Sequence, residues 1–197
     1  MPLDTFWALL IFAFVMSITP GPNNLMLLAS GVNFGFRRTI PHMLGVVTGF
    51  GTLLLAVGFG LGALLHAFPA LELVLKGIGA AFLLYLAWRI AFSRSLGNTE
   101  SVAQPIGFGQ AWAFQWVNPK AWIMGATAMA VYTNAERPVA SVFIVVLGFI
   151  ALCVIAISTW TGFGQALRGW LSDPVRLKWF NLGMGAALAL TLIPMLA

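Results

Sequence analysis

The feature of this sequence that most restricts its fold is a series of long apolar stretches. Four of them contain no Asp, Glu, Lys or Arg, and two more are apolar apart from a few charges. Each is long enough to cross the ~30 Å hydrocarbon core of a bilayer as a helix, which takes about 20 residues. We therefore predict an all-α integral membrane protein with six transmembrane helices. The predicted spans are residues 5–36, 39–71, 71–92, 109–133, 138–167 and 179–197.

The composition of the chain excludes a water-soluble domain. Charged residues make up 8% of the 197 residues and hydrophobic residues 60%, whereas soluble proteins carry about 25% charged residues. The net charge of +5 would suit a nucleic-acid binder. The cations are instead spread thinly over the loops between predicted spans, so we expect no nucleic-acid partner.

The distribution of Lys and Arg predicts the orientation of the chain. Cytoplasmic loops of membrane proteins are enriched in these residues. With six spans, one side receives Arg37, Arg38, Arg89, Arg94, Arg168, Arg176 and Lys178, and the other receives Lys76 and Arg137. The first side is therefore predicted to be cytoplasmic, with both termini on the opposite side.

The first span is interrupted about midway by helix-breaking residues. Pro20 and Pro22 flank Gly21, and each proline removes a backbone donor and clashes with the preceding turn. Freed carbonyls inside a bilayer must face protein or a water-filled cavity. We therefore predict two half-helices, with amide side chains near the positive end of the second half. The residues of this break are Thr19, Pro20, Gly21, Pro22, Asn23 and Asn24.

The span at 109–133 carries a similar interruption near its middle, formed by Gln115, Asn118, Pro119 and Lys120. A lysine at the bilayer centre costs ~2.5–3.5 kcal/mol on insertion scales, so Lys120 should face the interior of the bundle. A single proline in a span usually marks a kink that binds nothing. Two interruptions at equivalent depth, one of them carrying a lysine, favour a binding site instead.

The two interruptions occupy corresponding positions in two halves of the chain, because Pro20 and Pro119 lie 99 residues apart. We divide the chain into three-helix repeats at 1–98 and 99–197, which together form one transport domain. Halves with an odd number of spans are inverted relative to each other. Inverted repeats with helices interrupted at mid-depth indicate a secondary transporter that binds its substrate between the breaks. The same offset relates Arg38 to Arg137 and Gly49 to Gly148.

The residues around both breaks resemble a known family. Residues 17–31 read SITPGPNNLMLLASG and are followed by NFGFRRT, which resembles the start of the LysE/RhtB family of amino-acid exporters. The stretch QWVNPKAW, which begins at Gln115, resembles that family's second signature. The resemblance covers the whole chain in length, span number and motif spacing. Within the family, the pattern is most similar to the branch that exports cysteine and O-acetylserine.

This resemblance implies export of a small amino acid or derivative across the bacterial inner membrane by antiport with protons. In that membrane, the side opposite the cytoplasm is the periplasm, so both termini would be periplasmic. It implies no cofactor and no metal, and the partners would be the amino acid, the proton and lipid. All five acidic residues lie at span ends or in loops, which favours a neutral substrate over a cationic one. The family's motifs place the binding residues at Pro20, Gly21, Pro22, Asn23, Asn24, Asn118, Pro119 and Lys120.

A binding hypothesis follows from these residues. The carboxylate of a zwitterionic amino acid would bind Lys120 and the half-helix amides around Asn23 and Asn24. Its ammonium would meet the carbonyls that the prolines free, with Thr19, Asn118 and Gln115 adding dipoles. Lys120 is also our candidate for proton coupling, because it is the strongly basic group at this depth.

Several alternatives stay open. A channel, or an exporter of a small solute other than an amino acid, would fit the same spans. An enzyme is disfavoured because the spans hold no paired carboxylates, His cluster or Ser/His pair. The two histidines, His42 and His66, fall at predicted span ends, where we expect them to be solvated. Small-residue pairs such as Gly31/Gly35 predict close helix packing within the bundle, with a homodimer contact as the alternative.

Overall fold

The computed structural model describes residues 1–62, 69–93 and 104–193. Within these ranges the chain forms helices and no strands, which confirms the all-α prediction. Arg94, predicted to be cytoplasmic, and His66, predicted at a span end, lie outside the described residues. The helices are α1 Leu3–Ile18, α2 Pro22–Phe34, α3 Phe36–Ala56, α4 Pro69–Ala91, α5 Phe108–Val117, α6 Pro119–Tyr132, α7 Pro138–Leu167 and α8 Pro174–Leu190.

Several of these helices have the length and apolar composition needed to cross a bilayer. In the described part of the chain they are Phe36–Leu61, Leu73–Ala91 and Pro138–Leu167. Together, α1 and α2 pass the same test as one span bent by 55°. These four coincide with four of the six predicted spans. The helices α5, α6 and α8 have 10, 14 and 17 residues, fewer than the roughly 20 of a full span, and the six-span arrangement stays a prediction.

Prolines set the starts of many helices in this fold. Pro22, Pro119, Pro138 and Pro174 each occupy the first helical position, where the missing N–H would have had no helical partner. At the start of α8, the carboxylate of Asp173 also accepts hydrogen bonds from two backbone amides of the first turn. The chain therefore begins new helices at defined residues.

The turn between α2 and α3 corrects one expectation about histidine. Gly35 alone separates the two helices, with a φ of 80° that favours glycine. Because the turn is this short, α3 begins at Phe36 and already includes His42 in its second turn. His42 is 0% exposed, so the expectation that it is solvated at a span end is wrong.

Glycines allow the helices that surround the breaks to pack closely. A Cβ at Gly31 of α2 would collide with the backbone of α7 at Thr161, and one at Gly164 of α7 would collide with the backbone of α2. In the same way Gly45 and Gly49 of α3 lie against the backbone of α5. These small residues therefore serve packing within the chain, as the sequence predicts.

Candidate functional site

The structure brings the two interrupted segments into contact. The Nζ of Lys120, in the first turn of α6, donates to both the backbone oxygen and the Oγ1 of Thr19, each at 2.9 Å. A second pair joins Asn23, in the first turn of α2, to Gln115, near the end of α5. Their amide groups exchange two hydrogen bonds, at 2.7 and 3.0 Å. The two breaks therefore contact each other through two residue pairs, and each pair has one residue from each half of the chain.

The first break is held open by a side chain of its own. The Nδ2 of Asn24 donates to the backbone oxygens of Ser17 and Thr19, both at 2.8 Å. These bonds tie the start of α2 back to the end of α1 across the three residues that are not helical. Asn24 is buried, so this predicted site residue also stabilises the structure of the break.

The carbonyls that the three prolines free already have donors, which revises the binding hypothesis. Without proline, the amides of residues 20, 22 and 119 would bond to the backbone oxygens of Met16, Ile18 and Gln115. Instead, the Met16 oxygen accepts from the Thr19 hydroxyl at 3.0 Å, and the Ile18 oxygen accepts from the indole of Trp160 at 3.0 Å. The Gln115 oxygen accepts from the backbone amide of Asn118 at 3.4 Å. Each carbonyl keeps a second lone pair that can accept another hydrogen bond, but a substrate would not be the sole donor to any of them.

A cavity of about 40 Å³ lies between the breaks, which is room for a few water molecules. Its polar side includes Ser17 and seven of the predicted site residues, and its apolar side is closed by Val46 and Phe50 of α3 with side chains from α6 and α7. Thr19, Pro20 and Pro119 do not line the cavity. The predicted residues that do are Gly21, Pro22, Asn23, Asn24, Gln115, Asn118 and Lys120.

The Lys120 side chain occupies the space that Gly21 leaves free. A Cβ built at Gly21 would lie 3.0 Å from the Cδ and 3.1 Å from the Nζ of Lys120. The backbone of Gly21 is extended, with a φ of −172°, so a larger residue here would meet the end of the Lys120 side chain and would cause no backbone strain. Among the described residues that line the cavity there is no Asp or Glu, and the ammonium has only neutral oxygen partners there.

The two half-helices that begin at the breaks present different N-termini to the cavity. The amide of Lys120 is capped by the Oδ1 of Asn118 at 3.2 Å. The first turn of α2, after Gly21, receives no side-chain cap, and its residues Asn23 and Asn24 line the cavity. An uncapped helix N-terminus attracts anions through its free amides and its dipole. The arrangement thus offers a carboxylate both a cation and a helix terminus.

Sequence reasoning missed the residues that reach the site from elsewhere. The Oγ of Ser17 is buried in the cavity wall with no partner among the described residues, although Ser17 is the first residue of the first motif and was not among the predicted site residues. Trp160 donates to the first break from α7, and Cys153 of the same helix lines the cavity. Nothing in the local sequence of α7 indicates these contacts, because they depend on how the helices pack.

Fold and site together define a class of protein. An apolar helical bundle that encloses a polar chamber between interrupted helices is the architecture of a membrane transporter. The chain belongs to the family of LysE type translocators, whose family model matches residues 14–193. This confirms the resemblance that the two motifs indicate.

Individual relatives carry a more specific name, cysteine/O-acetylserine efflux protein. One from Klebsiella pneumoniae is 36% identical over 125 residues, or 64% of this chain and 63% of that protein. One from Salmonella choleraesuis is 33% identical over 135 residues, or 67% and 66%. One from Escherichia coli O139:H28 is 30% identical over 194 residues, or 97% and 93%. The chain thus spans about two thirds of the first two and nearly all of the third. No solved structure matches the chain significantly.

Proposed function

We propose that this protein is a secondary transporter that exports small neutral amino acids or their derivatives from the bacterial cytoplasm. Its family is one of translocators, and the names of its relatives make cysteine and O-acetylserine the first substrates to test. One structural observation carries the proposal. The Lys120 ammonium and an uncapped helix N-terminus face the same cavity inside an apolar bundle.

The substrate carboxylate is proposed to take the place of Thr19 beside Lys120. Two oxygens of Thr19 now accept from the ammonium, and a carboxylate offers two oxygens of its own with a full negative charge. The bonds to Thr19 have one charged partner, whereas a carboxylate makes both partners charged and adds a direct attraction between opposite unit charges. The exchange therefore favours the substrate, and the α2 terminus adds to the attraction.

The substrate ammonium is proposed to bind side-chain oxygens rather than freed carbonyls. The unpaired Ser17 hydroxyl lies in the cavity wall, and Asn23 and Gln115 line the cavity, their amide oxygens each accepting one hydrogen bond from the other residue and keeping a second lone pair. These groups are neutral, and the described lining holds no carboxylate for a second ammonium. This supports a zwitterionic substrate without a charged side chain.

Transport is proposed to occur by alternating access. Ligand sites usually measure about 300–1,000 Å³, whereas the cavity between the breaks measures about 40 Å³. The conformation described here must therefore open before an amino acid fits. We propose that the repeats at 1–98 and 99–197 rock against each other around the two breaks, with six spans and both termini in the periplasm.

Packing of equivalent glycines supports the repeat. A Cβ at Gly49 of α3 would collide with the backbone of Trp112 on α5, and one at Gly148, 99 residues later on α7, would meet the side chains of Leu9 and Leu10 on α1. The offset of 99 residues takes Trp112 to Ala13, which lies on α1 one turn from Leu9, so exchanging the halves relates the two contacts helix by helix. The relation covers both the glycines and the helices that they meet.

We further propose that export is coupled to proton entry, with Lys120 exchanging a proton with the bound substrate. We assign the protein no enzymatic activity, cofactor or resident metal. Among the described residues, no group of three His, Cys, Asp or Glu side chains could hold a metal ion. The chemistry of the site is binding and release.

Counterflow in proteoliposomes tests this function. Vesicles preloaded with unlabelled cysteine or O-acetylserine should take up the labelled compound transiently and saturably, and Lys120→Met should abolish the uptake. A channel would instead give flux that does not saturate and shows no counterflow. If no neutral amino acid or derivative supports counterflow by the wild-type protein, the proposed function is wrong.

A further inference from the structure

His42 is a buried titratable residue that the binding hypothesis does not use. It lies in the second turn of α3 and is 0% exposed. Neither its Nδ1 nor its Nε2 has a hydrogen-bond partner among the described residues. Buried side-chain polar atoms in proteins are nearly always paired, so an imidazole with two unpaired nitrogens requires an explanation.

The missing partners cannot be explained by the choice of protonation form. A neutral imidazole presents one donor and one acceptor, and an imidazolium presents two donors. Each form leaves both nitrogens unpaired in this packing, at a cost in free energy. A partner that enters in another conformation removes this cost, and water is the simplest one.

The position of His42 along α3 lies between two cavities. Val46, one turn further along the same face, lines the cavity between the breaks. Thr39, one turn earlier, shares a 2.9 Å hydrogen bond with Ser30 of α2. Ser30 lines a second cavity of about 300 Å³ that also contacts Asn33 and Arg89. His42 is thus one helical turn from Val46, which lines the first cavity, and one turn from Thr39, which bonds to a residue that lines the second.

The helices around His42 offer few other groups that titrate. Neither α2 nor α5, both of which pack on α3, contains an ionisable side chain. On α7 the one candidate is Cys153, and on α6 they are Lys120 and Tyr132. On α3 itself, Arg37 and Arg38 lie more than one turn away. Among these groups, His42 is the one whose ordinary titration range lies near neutral pH.

We propose that His42 is the relay that carries the coupled proton between the two cavities. When the central cavity opens, water reaches the ring and the lone pair of one nitrogen accepts a proton. When the second cavity opens, the imidazolium releases that proton to water on the other side. The relay rests on the proposed function, since it moves the proton whose exchange at Lys120 accompanies the substrate.

The test compares two assays on the purified protein in liposomes, with labelled cysteine kept reduced as the probe. In His42→Gln, counterflow without a pH gradient should continue, because substrate exchange requires no net proton movement. Accumulation driven by a pH gradient should fall to the level of protein-free vesicles. His66→Gln, the matched control at the other histidine in the sequence, should keep both activities.

Two results would separate the possibilities. Gradient-driven accumulation that persists in His42→Gln overturns the relay while leaving the transporter intact. Wild-type protein that shows no counterflow with any neutral amino acid overturns the proposed function itself. If His42→Gln does not fold, chemistry on the His66→Gln protein still decides, because His42 is then the only histidine.

That chemistry uses diethyl pyrocarbonate at slightly acidic pH, where it modifies imidazoles that water can reach in preference to protonated amines and thiols. During turnover, mass spectrometry of the His66→Gln protein should find His42 modified, and the modified protein should lose gradient-driven accumulation but keep counterflow. A His42 that stays unmodified throughout turnover never meets water, and the relay would then be wrong.

Discussion

The two helix breaks differ although they occupy equivalent positions in the sequence. The first leaves three residues out of helix, Thr19–Gly21, and bends its two helices by 55°. The second leaves out only Asn118, whose side chain caps the helix that follows. The offset of 99 residues pairs Gly21 with Lys120, and the lysine lies against that glycine. One break thus provides space and an open helix end, while the other provides charge.

The largest expected effect comes from removing the charge that the second break supplies. Lys120→Met should weaken substrate binding roughly 10- to 100-fold, since a hydrogen bond to a charged group contributes ~1.5–3 kcal/mol. Equilibrium binding of labelled substrate to detergent-solubilised protein measures this. Lys178→Met is the control, because Lys178 lies over the ring of Trp179, away from the cavity. Equal losses in the two variants would show that the Lys120 effect is not specific.

The half-helices that follow the breaks, α2 and α6, should also differ in how much room their packing leaves for an added methyl group. On α7, Gly164 faces the backbone of α2, whereas Gly125 on α6 faces the end of the Leu54 side chain at 3.3 Å. We expect Gly164→Ala to lower the free energy of unfolding by ~1–3 kcal/mol through overpacking, and Gly125→Ala to lower it less. Thermal unfolding in detergent compares them. Gly162→Ala, with open space around its Cβ, should behave as wild type.

The cap at the second break should have a smaller effect. Asn118→Ala removes the side-chain oxygen that accepts from the Lys120 amide, which typically costs about 1 kcal/mol. The control is Asn134→Ala, where an exposed side chain accepts from the amide two residues later in the same way. Unfolding of the two variants in detergent provides the comparison. No difference between them would mean that the second break does not depend on its cap.

The smallest effect is expected where the first break provides space. Gly21→Ala places a methyl group against the flexible end of Lys120, which can move aside. The extended backbone accepts alanine, so thermal stability should not change. Substrate affinity should fall by less than in Lys120→Met, because the ammonium is displaced rather than removed. Affinity equal to that of the wild type would show that the Gly21–Lys120 contact does not set the position of the charge.

The sequence predicts the breaks well because proline excludes a regular helix whatever surrounds it. Pro20, Pro22 and Pro119 therefore locate the helix ends to within a residue or two. The pairing of Asn23 with Gln115 depends on how distant segments pack, and no local pattern encodes it. Charge spacing predicts a span end at His42, but it does not reveal that the turn at Gly35 takes only one residue, which places His42 inside α3.

The central claim is that Lys120 binds the carboxylate of the substrate. Its most direct test measures the binding of cysteine and of cysteamine, which lacks the carboxylate, to the wild-type and Lys120→Met proteins. The wild type should prefer cysteine, and Lys120→Met should bind the two compounds nearly equally. If the variant still prefers cysteine by the wild-type factor, the carboxylate binds elsewhere and the account of this site is wrong.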